Sequence, residues 1–379
     1  MEWRLFRNGW KRRSLAQDRV PNRCHIKTGF ILLLALTFLL SIIVYISDFS
    51  LKSAAAPDTL YETVVNQIPS YYVTESASSI DNQTMFSAPT PINNQQRATQ
   101  NNSEHHHVAH PLNYYFTLDE PDICKQRNPF LVLMVPVAPY EVKARNAIRS
   151  TWGNETTVQG KAVLTLFLVG LTVGADSEKA QQQLEEESRQ HRDLIQSNFV
   201  DSYFNLTIKT MVIMDWLATR CPQAYYSMKI DSDMFLNVDN LVTLLSAPNT
   251  PRENYITGVL MRNRFVVRNK NSKWYVSEEL YPEPKYPTYL LGMGYVFSND
   301  LPSKIVEASN YVKPFNIEDA YIGACLKQLG VEPSSPPEPS QFRIYMGQYK
   351  RENFLRAITT ILGSPQQLID IWKDVNKPM

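Results

Sequence analysis

Three apolar runs constrain the fold more than any other feature of this chain: residues 130–137, 163–169 and 225–230. The first, FLVLMVPV, carries no polar residue and suits a strand buried on both faces. The second ends at Gly170, and the third runs into Asp231. Stretches with helical character separate them. Residues 141–152 place Ala144, Ala147 and Ile148 on one face. Residues 176–192 read as a polar helix capped by Asp176 or Ser177. Residues 205–220 read as another, stopped by Cys221-Pro222. Strands alternating with helices predict an α/β fold, a largely parallel sheet with helices on both faces.

Ligands of such sheets bind at the carboxyl ends of the strands. The segment Lys229-Ile230-Asp231-Ser232-Asp233 sits at such an end. Two carboxylates one residue apart on an extended segment point the same way and can converge on one cation. Apolar residues on both sides argue that the segment is internal, and buried carboxylates need a metal or an Arg/Lys partner. An isolated Asp-x-Asp is more often a solvated turn. Its place at a strand end is what favours the metal reading here.

Beyond residue 245 the pattern changes. Residues 255–261 and 265–267 are short strand-like runs, and residues 273–295 are dense in aromatics and proline, including Trp274, Tyr275, Tyr281, Tyr286 and Tyr289. Rings held by proline-fixed turns suit a sugar-contacting loop; an ordinary aromatic core patch is the alternative. Gly292-Met293-Gly294-Tyr295 reads as a further loop. Helices are expected over 301–311 and 319–329, with Glu318-Asp319 at the start of the second, where the helix dipole favours acids in any case. Trp274, Tyr295 and Glu318 are the candidate substrate contacts. Residues 332–340 read as a loop, and 354–375 as helical in parts.

The first part of the chain has a different character. Residues 29–47 are uncharged and long enough to cross the hydrocarbon layer of a membrane. Residues 1–28 hold eight Lys/Arg against Glu2 and Asp18, a net of +6. By the positive-inside rule this tail stays cytoplasmic. The expectation is a single-pass type II membrane protein: tail 1–28, signal-anchor helix 29–47, stem 48–120 and folded domain 121–379. A signal peptide cleaved near Ser53-Ala54-Ala55-Ala56 is the competing reading, but the length and the basic flank favour an anchor. The stem is rich in Ser, Thr, Asn, Gln and Pro and cannot bury enough apolar surface to fold alone. Its His105-His106-His107 run reads as polar linker rather than a metal tract.

Four Asn-x-Ser/Thr sequons follow the anchor, at Asn82, Asn101, Asn154 and Asn205. Cys24 lies at the cytoplasmic edge, where acylation is possible. Cys124, Cys221 and Cys325 are an odd number in an oxidising space, so at most one bridge forms among them. Apart from the tail, the net charge is −5, the whole chain's +1 less the tail's +6. A body of this kind lacks the basic balance of a nucleic-acid binder.

A lumenal α/β body, a strand-end Asp pair, a Gly-x-Gly-Tyr element and a later acidic pair together point to a nucleotide-sugar enzyme. Breaking the bond between sugar and diphosphate calls for a divalent cation to stabilise the departing charge. An acceptor hydroxyl must lose its proton as it attacks, and a carboxylate general base can take it. With base and metal on opposite sides of the anomeric carbon, a single displacement inverts configuration.

The chain resembles a known family in seven motifs. They are Arg145-x-Ala-Ile-Arg149-x-Thr-Trp152-Gly153, Phe167-Leu-Val-Gly170, Asp201-Ser-Tyr-x-Asn205-Leu-Thr-x-Lys209-Thr, Lys229-x-Asp231-Ser-Asp233-x-Phe-x-Asn237, Lys273-Trp274-Tyr275, Tyr286-Pro287-x-Tyr289-x-x-Gly292-x-Gly294-Tyr295-Val, and Glu318-Asp319-x-Tyr321-x-Gly323-x-Cys325-Leu. In this order they are similar to the Golgi β-1,3-glycosyltransferases, most of all the β-1,3-galactosyltransferase branch, over residues 124–375. The resemblance implies a GT-A fold, UDP-galactose as donor, Mn2+ as metal and β-1,3 transfer to a terminal GlcNAc or GalNAc of a glycan acceptor. The rival within the class is a β-1,3-N-acetylglucosaminyltransferase using UDP-GlcNAc. The rival outside it is a catalytically impaired relative that acts as a binding partner. By matching positions, Asp231 and Asp233 belong to the metal and UDP site, Asp319 is the general base, and Arg145 and Arg149 line the nucleotide pocket, where the planar guanidinium fork suits phosphate.

Two departures from the family stand out. Leu290 occupies the place of a family cysteine whose partner is matched by Cys325, which implies a free Cys325 and a Cys124–Cys221 bridge. Ile361 occupies the place of a family histidine that can join the metal, and no His follows His191. The metal is then left with fewer protein ligands.

Overall fold

The computed structural model describes residues 113–378. The tail, the expected anchor, most of the stem, Cys24, Asn82 and Asn101 lie outside the described residues. In chain order the elements are β1 (Phe116–Leu118), α1 (Ile123–Arg127), β2 (Leu131–Pro136), α2 (Val142–Arg149), β3 (Thr157–Val158), β4 (Lys161–Leu171), α3 (Ser177–His191), β5 (Leu194–Val200), α4 (Leu206–Arg220), β6 (Tyr226–Ile230) and β7 (Met234–Leu236). There follow α5 (Val238–Ser246), β8 (Ile256–Met261), β9 (Tyr289–Ser298), α6 (Leu301–Ala308), α7 (Glu318–Leu329), α8 (Arg351–Arg356), β10 (Thr359–Ile361) and α9 (Pro365–Val375).

The main sheet runs β1-β5-β4-β2-β6-β9-β8. Its four middle strands, β5, β4, β2 and β6, are parallel, as helical crossovers between them require. The edges are not. β1 pairs antiparallel with β5, and β9 and β8 run antiparallel on the far side of β6. The sheet is therefore mixed around a parallel centre: α5 leads from β6 to a β8 of the same direction, and β9 inserts antiparallel between them. Strand β2 is buried at every position, as its unbroken apolar sequence requires. In β6 the faces differ. Tyr226, Met228 and Ile230 join the main core with Leu131, Leu133 and Val135, while Ser227 and Lys229 point the other way.

Several expectations are corrected. Gly292 and Gly294 lie inside strand β9, not in a loop. Glycine usually weakens a strand, but here it admits a close neighbour. A Cβ on Gly292 would stand 2.8 Å from Glu318 Oε2. Residues 265–267 make only the single bridge Phe265 to Lys285. Strand β1 begins ahead of residue 121, so the folded body takes in the end of the expected stem. Strand β5 escapes an apolar pattern search because it carries Gln196 and Ser197, both fully buried. Gln196 is satisfied there, donating to the Gly170 carbonyl at 3.1 Å.

Helix α4 is apolar on nearly every side. It packs against β2, β4 and β5 and against α6 and α7. A disulfide from Cys124 in α1 to Cys221 at the end of α4 staples this helix to the start of the domain. Cys325 is free and buried. Among the described residues, no helix is long and apolar enough to cross a membrane.

Candidate active site

The sequence motifs gather where β2, β4, β5 and β6 end. Lys209 in α4 is buried and donates to the Val137 carbonyl at 2.9 Å and to Asp201 Oδ2 at 2.7 Å. The same Asp201 oxygen accepts the Gly170 N–H at 2.7 Å. One ion pair thus ties together the segments that leave β2, β4 and β5. Burial pulls the Lys209 pKa down, against the upward pull of Asp201.

Arg145 occupies a comparable structural post. Its side chain is 0% exposed. Nε and Nη2 fork onto Glu187 at 2.7 Å each, while Nη1 and Nη2 donate to the Ala138 and Pro139 carbonyls at 3.0 Å. Arg149 pairs with Glu187 and, bidentately, with Asp193. The expected nucleotide-facing arginines are therefore turned inward. Arg145 shapes the turn that follows β2 by holding its carbonyls. Trp152, from the same motif, is fully buried, and its Nε1–H donates to the Met234 carbonyl at 3.1 Å. It pins β7 just beyond the Asp pair.

Asp231 and Asp233 occupy the turn between β6 and β7, and both are partly exposed. Asp231 is anchored by its backbone N–H to the Met293 carbonyl at 3.0 Å. The Asp233 carbonyl accepts the Leu362 N–H at 2.8 Å. The chain after β10 therefore lies beside the Asp pair, with Ile361 opposite Met234 in the β7–β10 ladder. Burial, and then the neighbouring Asp231 charge, push Asp233 up to about 7. The charge of Lys229 pulls the other way without outweighing them.

Lys229 is 4% exposed at the heart of this end of the sheet. Its Nζ donates to Asp231 Oδ1 at 2.7 Å and to the Gly292 carbonyl, and stands 3.6 Å from Glu318 Oε2. Burial opposes its charge, but Asp231 and Glu318 outweigh that and hold its pKa above the ordinary lysine value.

Helix α7 brings the second acidic pair. Glu318 is 8% and Tyr295 1% exposed, and the Tyr295 hydroxyl donates to Glu318 Oε1 at 2.7 Å. Both were expected to touch substrate. The structure turns them toward each other and toward Lys229. Asp319 is different: it is partly exposed. Its Oδ2 accepts the Gly292 N–H at 3.0 Å and its Oδ1 the Ala320 N–H at 2.8 Å. Burial, and then the charge of Glu318, push it up to about 7. Trp274 lies partly exposed in the excursion 262–288, with Lys273 Nζ 4.8 Å from its ring centroid. The Tyr275 carbonyl accepts from Asn316 Nδ2 at 3.2 Å, which ties this excursion to the approach to α7.

Sequence reasoning singled out Asp231, Asp233 and Asp319 but not Lys229, Lys209 or Gly292 as parts of the site. The signal was present, since all three stand inside the quoted motifs. Several of their partners, the Val137 and Gly292 carbonyls and the Glu318 and Asp319 carboxylates, lie in segments far along the chain, and such pairings leave no mark in sequence. Of the two sequons among the described residues, Asn154 is exposed. Asn205 is partly exposed, and its Nδ2 donates to the Val200 carbonyl at 2.8 Å.

Among the described residues, no three His, Cys, Asp or Glu side chains come together as a metal cluster. Two carboxylates nevertheless fit a hard divalent ion that completes its shell with phosphate oxygens and water. The two partly exposed carboxylates side by side in the β6–β7 turn are the observation that favours such an ion.

A profile of the family described as Galactosyltransferase matches residues 143–337. Mouse beta-1,3-galactosyltransferase 2 is 41% identical over 273 residues, 71% of this chain and 64% of the relative. The match therefore spans somewhat less than two thirds of that relative's length. Mouse beta-1,3-galactosyltransferase 1 is 40% identical over 267 residues, 70% of this chain and 80% of the relative. Among solved structures, a complex of the galactosyltransferase LgtC with donor and acceptor sugar analogues aligns at a TM-score of 0.34 and 10% identity, over 65% of this chain and 97% of that one. The profile covers the motifs from the α2 arginines to the α7 acids, and the identity to the two mouse enzymes extends over most of the folded body; the chain belongs to the galactosyltransferase family.

Proposed function

We propose that this chain is an inverting β-1,3-galactosyltransferase of GT-A type, moving galactose from UDP-galactose to the 3-hydroxyl of a terminal GlcNAc or GalNAc. The observation that carries the reading is the juxtaposition of two acidic poles. Asp231 and Asp233 lie at the end of β6, and Asp319 lies across Gly292 from them.

The Asp319 carboxylate is the base. Backbone N–H donors fix both of its oxygens and leave lone pairs for an acceptor hydroxyl. A pKa near 7 matches the task, because the group is ionised at working pH and still accepts a proton. The proton leaves the acceptor hydroxyl for Asp319 as the oxygen attacks the anomeric carbon and the bond to UDP breaks. Asp231 and Asp233 would hold a divalent ion such as Mn2+, which supplies charge stabilisation to the departing diphosphate. Arg145 acts at a distance, by shaping the turn after β2 that borders the nucleotide side. Trp274 offers a ring face to a sugar.

The disulfide and the basic flank of the uncharged stretch 29–47 support a type II Golgi membrane protein with its catalytic body in the lumen. The test is a panel of donors and acceptors with the full-length chain and Mn2+. Galactose from UDP-galactose should pass to GlcNAc- or GalNAc-terminated acceptors. Transfer from UDP-GlcNAc alone, to galactose-terminated acceptors, would replace the reading by the N-acetylglucosaminyl one.

A further inference from the structure

Gly292 has an unusual position in the sheet. The β6–β9 ladder runs from Tyr226 opposite Ser298 to Ile230 opposite Gly294 and stops there. On its other side, β9 passes a register shift against β8 between Gly258 and Leu260. Gly292 lies just past the end of β6, where its peptide groups have outrun that neighbour. Both groups are satisfied by side chains instead. Its N–H goes to Asp319 Oδ2, and its carbonyl receives Lys229 Nζ. The same ammonium holds Asp231 Oδ1 at 2.7 Å.

Through this one residue, the carboxylate that starts the Asp pair is linked to the carboxylate of α7. The path is Asp231, Lys229, the Gly292 carbonyl, the Gly292 N–H, Asp319. Lys229 is held rigidly enough to serve as its middle. It projects from a central strand with Met134 beside it on β2 and Tyr295 beside it on β9. Its three N–H donors face three groups, Asp231, Gly292 and Glu318. Glu318 is in turn fixed by the Tyr295 hydroxyl. A buried ammonium that served only to neutralise acids would not need to reach a backbone carbonyl.

We infer that Lys229 is a positioning residue that sets the separation of Asp319 from the Asp231–Asp233 pair, acting through the Gly292 peptide. The inference rests on the functional reading above and deepens it. Transfer depends on that separation, because the base must meet the acceptor hydroxyl while the diphosphate stays at the other pole. A misplacement of about 1 Å costs on the order of 100-fold in rate.

The experiment uses the full-length chain with Lys229→Met, Lys229→Arg and the double variant Lys229→Met/Glu318→Gln. The double variant removes one charge of each sign and guards against a simple failure to fold. Two readouts are taken: kcat alongside UDP affinity in Mn2+, and amide hydrogen exchange over residues 289–298. The inference predicts that kcat falls about 100-fold in the double variant, that UDP affinity stays within about threefold, and that exchange of the Gly292 amide rises. Lys229→Arg should not rescue, because a planar fork cannot replace a point donor. Recovery of kcat to within about threefold of the parent in the double variant would overturn it and leave Lys229 a neutralising charge only. Unchanged exchange at Gly292 would overturn it equally. If the parent chain transfers no galactose, that result counts against the proposed activity, and the exchange readout alone decides the role of Lys229.

Discussion

The N–H of Gly292 donates to Asp319 Oδ2 at 3.0 Å, and Glu318 Oε2 fills the space that a side chain on Gly292 would need. A methyl group there would meet that oxygen at 2.8 Å and Asp319 Oδ2 at 3.5 Å. Gly292→Ala should therefore push Glu318 off its place, with Asp319 left in ordinary contact. The expected loss is about 1–3 kcal/mol of stability, as for overpacking elsewhere, together with a fall in kcat. Denaturant unfolding and steady-state transfer rates measure the two. An alanine variant with parental stability and kcat would contradict the tight seat of Glu318 against Gly292.

The pKa of Asp319 near 7 gives the reaction a pH dependence of known sign. The base acts when ionised, so kcat/KM should rise with pH through about 7 and level off above it. Asp319→Asn should remove that limb and most of the transfer while keeping UDP binding. A variant with near-normal transfer would remove Asp319 from the mechanism.

Stability should move the opposite way. Asp233 and Asp319 both have folded-state values of about 7, above the ordinary aspartate value of 3.8. Between those limits the folded protein binds more protons than the unfolded chain, so unfolding free energy falls as pH rises. This contribution is complete below the unfolded value and lost as pH passes through about 7. Thermal melts across pH 5–8, in the absence of divalent ions and nucleotide, should show a declining midpoint attributable to these groups. Asp233→Asn should flatten the decline.

Arg145 makes four hydrogen bonds from one buried guanidinium, two to Glu187 and two to the Ala138 and Pro139 carbonyls. A lysine cannot reproduce that fork. Breaking such a buried pair costs about 3–5 kcal/mol, part of which Arg149 offsets because it also holds Glu187. Arg145→Lys should be less stable in urea and bind UDP more weakly, through a loosened turn. Unchanged UDP affinity, by calorimetry, would separate that turn from the nucleotide site.

The Cys124–Cys221 bridge closes a sequence separation of 97 residues. Constraining a loop of that size contributes on the order of 2–5 kcal/mol. Cys124→Ser should lower the denaturation midpoint accordingly and leave kcat of the folded fraction close to parental. The free Cys325 is buried, and burial pushes its thiol up to about 12, so it should resist alkylation until the chain unfolds.

Much of the site could be read in the sequence because its chemistry is local. Asp231 and Asp233 are one residue apart and stand at the end of a recognisable strand, and Asp319 stands in the first turn of a recognisable helix. The middle strands β2, β4 and β6 show in their apolar runs. What stayed hidden depends on contacts between distant segments. Strand β5 buries Gln196 and Ser197 because Gly170 and other partners satisfy them, which no periodicity reveals. Gly292 of β9 looks like a loop residue until the acids of α7 are seen to occupy its missing side-chain space. Arg145 has the chemistry of a phosphate ligand, and only the placement of Glu187, 42 residues away, turns it inward.

The most direct test of the central claim is the structure of the product. The full-length chain is incubated with UDP-galactose, Mn2+ and a GlcNAc-terminated acceptor, and the disaccharide linkage is read by NMR. The account predicts galactose in the β configuration at O3 of the acceptor sugar, formed with inversion. An α-linked galactose, or attachment at another hydroxyl, would contradict it.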